Sequence, residues 1–361
     1  MKRTASEELV LAVLYDFKDQ DPEDTATINS MVTEAKTAID SHAKDALLQK
    51  NIRVDALFHS LIDFAINDRG KHYVAYAILA YKEVEDPCAF LVQLAEAWLA
   101  YLIYPVKASG NIKKGIPSTR QTPHIQETAQ LIQSAERGNQ KAFRSLLRLR
   151  QGDRCPITGA YGLDALGDLV PQEGSQSATI ACHILPFSLN DFKEGSSKTF
   201  VTSGYSFLSH NIDLLLQNGA VVTWGMIGAW GSLDVEKLAE PKINGPSNGL
   251  LLRADIDPMF SNFKLWFEKT DEPDTYVLAK PEKLKTQYAG KVVTFVNEHS
   301  ERIDLPDPQL LELHAAFSRV FHVSGAGECI EAYWRDMDEI RVLASNGSTN
   351  LDFLLMAPVT R

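Results

Sequence analysis

The chain has 361 residues, 45% apolar and 23% charged, the make-up of a folded protein rather than a disordered or low-complexity one. A net charge of −11 and a pI near 5.3 give a field that repels phosphate, so any contact with nucleic acid has to come from a local basic patch. Cys88, Cys155, Cys182 and Cys329 are scattered, with no CxxC pair; this argues against a zinc finger and points to free thiols in an intracellular setting, cytoplasmic or nuclear.

Residues 1–104 read as a helical domain. Leu9, Val10, Val13, Leu14 and Phe17 make one apolar stripe, and Ile28, Met31, Val32, Ala35, Ala38 and Ile39 make a second. Asp55–Asn67, His72–Glu85 and Pro87–Tyr104 continue the pattern, the last opening on Asp86-Pro87, an N-cap followed by a first-turn proline. Gln93 and Glu96 interrupt the apolar run from Ala89 to Val106, which predicts a buried helix and no membrane span. The opening M-K-R-T-A-S-E-E leads into an amphipathic segment, so no secretory leader is expected. His42, His59 and His72 stand singly at helical positions and read as structural or surface residues.

Residues 105–122, with Pro105, Gly110, Gly115 and Pro117, read as a linker. Residues 123–150 read as helical with a break at Gly138-Asn139. Lys141, Arg144 and Arg148 share one helical face, followed by Arg150 and Arg154. This is the best candidate for a phosphate-binding patch, although a solvated helix face has the same pattern.

Three islands then carry the chemistry. R-C-P-I-T-G at 154–159 reads as a strand end turning on Gly159, and A-C-H-I-L-P-F-S at 181–188 as a strand carrying His183 into a site and stopped by Pro186. N-G-L-L-L-R-A-D-I-D-P-M-F at 248–260 reads as a turn and a strand that passes into a helical rhythm on Met259, Phe260, Phe263 and Phe267. Two strands and a helix in this order make a ββα unit.

The three islands together resemble the HNH endonuclease motif, and the wider likeness is to fungal HNH-domain proteins with a helical N-terminal half. It extends through N-F-K-L-W-F-E at 262–268, T-Y-V at 275–277 and L-P-D-P-Q-L-L-E-L-H-A-A at 305–316. The resemblance implies an α+β fold: a helical N-terminal half, then a ββα-metal core over 123–345 with an insertion at about 188–245 and C-terminal helices, and a tail at 346–361. It also implies phosphodiester hydrolysis with a divalent metal, Mg2+, in which His183 matches the general base and Asn248 the central asparagine. Asp257 stands where the family has its final histidine. Cys182 stands before the base, where many motifs have an acid or a second histidine, and a thiol is a poor ligand for magnesium. Ser261 stands where the related proteins end H-x-x-F-D.

Asp257-Pro258 is also a helix-start pair. Proline disfavours helical dihedrals in the residue before it, so the helix is expected to begin at Pro258, with Asp257 capping it and any metal site weakened or rebuilt around Asp255.

In the insertion, 201–217 reads as a strand or turn and a short helix, and N-G-A-V-V-T-W at 218–224 as a turn and strand. Gly225, Gly228 and Gly231 lack the flanking elements of a cofactor loop. Phe200, Tyr205, Phe207, Trp224 and Trp230 would either cap the ββα site as an apolar pocket or form the insertion's own core. Beyond the islands, Tyr276–Leu278 and Val292–Val296 read as strands, and Pro308–Phe321 and Ala326–Leu343 as helices.

Two functions follow. One is a metal-dependent HNH endonuclease acting on DNA or RNA. The other is an HNH-derived protein without nuclease activity, serving as a small-molecule enzyme or a binding scaffold. No membrane partner is expected, and oligomeric state is not encoded in any motif.

Overall fold

The computed structural model describes residues 17, 24–48, 52–109, 140–163, 165, 174–186, 212–234, 242–298 and 303–339. The fold is α+β, with helices and small sheets. It divides into two compact units that interleave along the chain, where the sequence suggested contiguous segments. Residues 1–107, 190–235 and 319–361 form the first unit; 108–189 and 236–318 form the second.

The first unit is helical. Thr25–His42 is opened by Asp24, whose carboxylate accepts from Thr27 N at 2.9 Å, and Asp68–Leu79 by Asn67, which accepts from Gly70 N. Asp86 Oδ1 accepts from Ala89 N at 3.0 Å and Pro87 fills the first turn, as the sequence predicts. The helix from Pro87 continues through a π turn at Leu99–Ile103 into Tyr104–Ser109, so helical structure reaches into the segment read as a linker. Pro87–Lys107 is long and apolar enough to cross a membrane, but most of it is buried inside the protein, as in a core helix. Its last residue, Lys107, is fully buried and donates to Glu331 of helix Ala326–Glu339 at 2.8 Å.

Residues 212–231 correct the sequence reading. The stretch containing N-G-A-V-V-T-W is not a turn and strand but part of the helix Ile212–Gly231. Its β-branched and aromatic residues favour a strand locally, and tertiary burial overrides that preference: Val222, Met226, Ile227 and Trp230 are core residues. The Trp230 indole donates to Leu61 O at 2.9 Å within the helical unit, and a Cβ on Gly70 would run into Trp230 O. This helix therefore completes the helical unit. Trp230 is a core residue of that unit, and Phe200, Tyr205 and Phe207 lie outside the described residues.

The second unit begins with helix Gln140–Gln151, which ends in two left-handed residues, Gly152 and Asp153 (φ 59° and 56°). Asp153 N returns to Arg148 O at 2.9 Å, closing the helix end. In the first island Gly159 N bonds Cys155 O at 2.8 Å and Gly159 takes φ 71°, so the turn on glycine is present. The short strand β1 (Tyr161–Gly162) follows this turn and pairs in parallel with β2 (Gln176–Ser177). β3 (Thr179–His183) pairs antiparallel with β4 (Gly249–Arg253), with Cys182 opposite Leu250 and His183 opposite Gly249. The short helix Asp257–Ser261 follows. A three-stranded antiparallel sheet, β5 (Trp266–Lys269), β6 (Thr275–Ala279) and β7 (Val292–Thr294), completes the unit with the first part of helix Pro308–Val323.

Two boundaries differ from expectation. The helix after β4 begins at Asp257, not Pro258, and stops at Ser261 instead of running on to Phe267. Phe263 leaves it in a left-handed conformation (φ 60°), and Phe267 lies in β5.

Candidate functional site

The hairpin β3–β4 sets the geometry, because successive side chains on a strand point to opposite faces. One face carries Ala181, His183 and Leu251 towards helix Gln140–Gln151. The other carries Cys182 towards helix Asp257–Ser261.

His183 is 4% exposed. Its ring stacks on Phe143, with centroids 4.3 Å apart and planes 12° from parallel, and its Nε2 lies 3.0 Å from Asn244 Oδ1. The opposite residue has to be small. A Cβ on Gly249 would overlap the Phe143 ring and come within 3.0 Å of Leu147 Cδ1.

Asn248 is completely buried at the end of the 3-10 turn Pro246–Asn248. Its Oδ1 accepts from Leu185 N at 2.8 Å, while its Nδ2 donates to Leu185 O at 3.0 Å and Ile243 O at 2.9 Å. Its carbonyl accepts from Ile184 N at 3.0 Å. Asn248 thus ties the segment leaving β3 to the segment entering β4. The Asn-Gly pair is not a hairpin turn here; it joins the 3-10 turn to the strand.

On the opposite face the Ser261 hydroxyl donates to Asp257 Oδ1 at 3.0 Å. The Cys182 Sγ lies 3.2 Å from Ser261 Oγ and also donates to His183 O at 3.5 Å. Asp257 lies in the first turn of the helix and makes no side-chain cap, contrary to the capping expectation. Sequence reasoning noticed Cys182 and Ser261 as changed positions but did not see that they meet. Their i to i+79 separation hides the contact, whereas the i, i+4 spacing of Asp257 and Ser261 was readable.

Asp255 belongs to a different group. Arg253 forks onto it, Nε to Oδ1 and NH2 to Oδ2, both at 2.6 Å, and Tyr288 OH donates to Oδ2 at 2.9 Å. The Arg253 hydrogen bonds, assisted by Tyr288, hold the carboxyl down to about 2. With both oxygens engaged by a cation and a phenol, Asp255 is a poor candidate for a rebuilt metal site.

Three of the basic residues at 141–154 are engaged within the protein. Arg148 pairs with Asp153, and Arg154 with Glu298. Arg150, only 1% exposed, donates to Pro246 O at 2.6 Å, Asp304 O at 3.0 Å, Gly249 O at 2.6 Å and Gln151 Oε1 at 2.9 Å. Burial pushes its guanidinium down to about 9, which leaves it charged at neutral pH. Gln151 accepts from Leu251 N at 2.8 Å and donates to Leu251 O at 2.9 Å. Arg150 and Gln151 therefore occupy the edge of β4 that β3 does not cover, satisfying backbone groups that a third strand would otherwise pair.

An HNH-type unit places a strand histidine, a pinned asparagine and a short helix in this order. Residues 155–268 match the model of the HNH endonuclease family. The similarity covers that segment, less than half of the chain. No curated protein and no solved structure matches it.

The family's divalent cation can be tested against the donors. Among the described residues no three His, Cys, Asp or Glu side chains converge as a metal cluster. Asp257 with the adjacent Ser261 hydroxyl offers hard oxygen donors suited to magnesium, which binds through one or two carboxylates and completes its shell with water and phosphate. Asp255 and the Cys182 thiol do not suit it.

Proposed function

We propose that the HNH segment is a nuclease-type unit whose reaction class is phosphodiester hydrolysis, with nucleic acid as the substrate class. The observation that carries this reading is the Asn248 clamp, which pins the chain directly after His183 to the chain directly before β4. Such a clamp fixes the chain that leaves β3 relative to the start of β4, with His183 facing helix Gln140–Gln151 and Asp257 lying on the other face of the hairpin. His183 would remove a proton from the attacking water, and Asn248 would hold the loop that carries it. Asp257 and Ser261 would hold the divalent cation, which when bound stabilises charge on the phosphoryl and leaving oxygens.

A second reading, a non-cleaving scaffold or small-molecule enzyme built on the same frame, is favoured by another observation. Arg148, Arg150, Arg154 and Asp255 are all engaged within the protein, in addition to the net charge of −11.

One experiment separates the two. The purified full chain is incubated with supercoiled, linear and single-stranded DNA and with RNA, in Mg2+ or Mn2+. Cleavage that disappears in His183→Ala supports the nuclease reading; absence of cleavage on every substrate, with the wild-type chain folded, supports the second.

A further inference from the structure

We infer that Asn244 is a positioning residue for His183, holding its imidazole in the tautomer protonated on Nε2 so that Nδ1 is the nitrogen with the lone pair; this rests on the reading of His183 as a base.

Asn244 Oδ1 lies 3.0 Å from His183 Nε2, and an amide oxygen has no proton to give. The hydrogen therefore sits on Nε2, and in a neutral imidazole this leaves Nδ1 as the basic site. Asn244 is 1% exposed, so water does not compete for its carbonyl. Its backbone is fixed as well: Asn244 closes the 3-10 turn Lys242–Asn244, and the preceding carbonyl, Ile243 O, receives Asn248 Nδ2 at 2.9 Å. The chain of support runs from the Asn248 amide through the Ile243 peptide to the Asn244 side chain and then to the His183 ring.

Phe143 adds the remaining constraint. Its near-parallel stack fixes the plane of the imidazole, and the hydrogen bond fixes rotation within that plane. Arg150 donates to Gly249 O, the backbone opposite His183. Asn244 thus presents an acceptor to Nε2 and favours the tautomer protonated there. Nothing in the motif marks it, because it lies four residues before Asn248 in the insertion's return path.

The test reads the ring nitrogens directly. Long-range 1H–15N spectra of the full chain, labelled at histidine, are recorded for wild type, Asn244→Ala and the isosteric Asn244→Asp, with the His183 signal assigned by its loss in His183→Ala. Wild type is expected to show a protonated Nε2 and an unprotonated Nδ1. Asn244→Ala is expected to average the two tautomers, and Asn244→Asp, which keeps an acceptor, to retain the Nε2 proton. A wild-type ring protonated on Nδ1 alone overturns the inference. So does an unchanged tautomer in Asn244→Ala or, should that variant not fold, an Nε2 without its proton in Asn244→Asp. These spectra do not depend on cleavage, so a selected tautomer in a chain that cuts nothing would refute the nuclease reading and leave Asn244's role standing.

Discussion

Asn248 holds Leu185 from both sides, accepting from its N–H at 2.8 Å and donating to its carbonyl at 3.0 Å. The side-chain amide therefore acts as a short piece of strand, completing the backbone pairing of a segment that has just left β3. Asn248→Ala would strand Leu185 N, Leu185 O and Ile243 O in a buried place. The expected loss is about 3 kcal/mol, since each unsatisfied buried group costs ~1–3 kcal/mol and some will find other partners. Asn248→Asp should be no milder, because a carboxylate would face two carbonyl oxygens in place of the donated hydrogens. Denaturant titration checks this; a loss under 1 kcal/mol for the alanine variant would mean the clamp is dispensable.

Arg150 should behave as a core residue despite its charge. Arg150→Met leaves the carbonyls of Pro246, Gly249 and Asp304 without their donor, and a loss of about 3 kcal/mol is expected. In any nucleic-acid complex, removal of a phosphate contact would lower the slope of log affinity against log salt by about 0.9. No such change is expected for Arg150. Thermal unfolding and a salt titration on one variant decide between a structural and a phosphate-binding guanidinium.

Asp255 gives the protein an acid-sensitive element. Its folded-state value, about 2, lies below the ordinary 3.8, so the carboxylate contributes stability that is fully present above about pH 4 and is lost as pH falls towards 2. The side chain is 52% exposed, so solvent screens the pair and its contribution is small. Asp255→Asn should flatten the stability profile between pH 4 and 2 and leave any magnesium-dependent thermal shift unchanged. Loss of that shift in Asp255→Asn, with retention in Asp257→Ala, would reverse the assignment of the metal-anchoring carboxylate made above.

Much of the hairpin was legible because its signals are local. Apolar runs, Pro186 as a stop and the Asn-Gly pair lie within a few residues of the structure they specify. The support around His183 was not legible, because Phe143, Asn244 and Gly249 meet it through contacts that span the chain, and no residue type announces such a partner. The five basic residues at 141–154 show the reverse problem. Lys141, Arg144 and Arg148 read as one helical face, yet the end of helix Gln140–Gln151 is buried against β4, where Arg150 satisfies carbonyls far away in sequence and Arg148 pairs with nearby Asp153. The Asp257-Pro258 pair misled for a third reason: proline's preference at the preceding residue is a bias, and hydrogen bonding to Ser261 gives Asp257 another use within the first turn.

Phe263 provides the sharpest test of packing against backbone preference. It occupies the position after the cap of helix Asp257–Ser261 with φ 60°, while Lys264 N returns to Met259 O at 2.8 Å and Phe263 N to Phe260 O at 2.9 Å. Glycine is the usual residue there, and a bulky side chain in this conformation costs ~1 kcal/mol or more. The ring supplies the compensation. Phe263 is fully buried, stacked on His314 at 4.6 Å and edge-on to Phe317, while His314 also stacks on Phe260 at 4.0 Å and its Nε2 meets Phe260 O at 3.1 Å. Truncating a buried phenylalanine costs ~3–5 kcal/mol, so Phe263→Gly should destabilise by about 2–3 kcal/mol after the backbone relief is counted. Phe263→Ala loses the same ring without that relief and should be worse than Phe263→Gly by about 1 kcal/mol. Denaturation of the two variants side by side checks both terms: equal losses would remove the backbone argument, and a Phe263→Gly more stable than wild type would show that the aromatic stack contributes less than the strain it imposes.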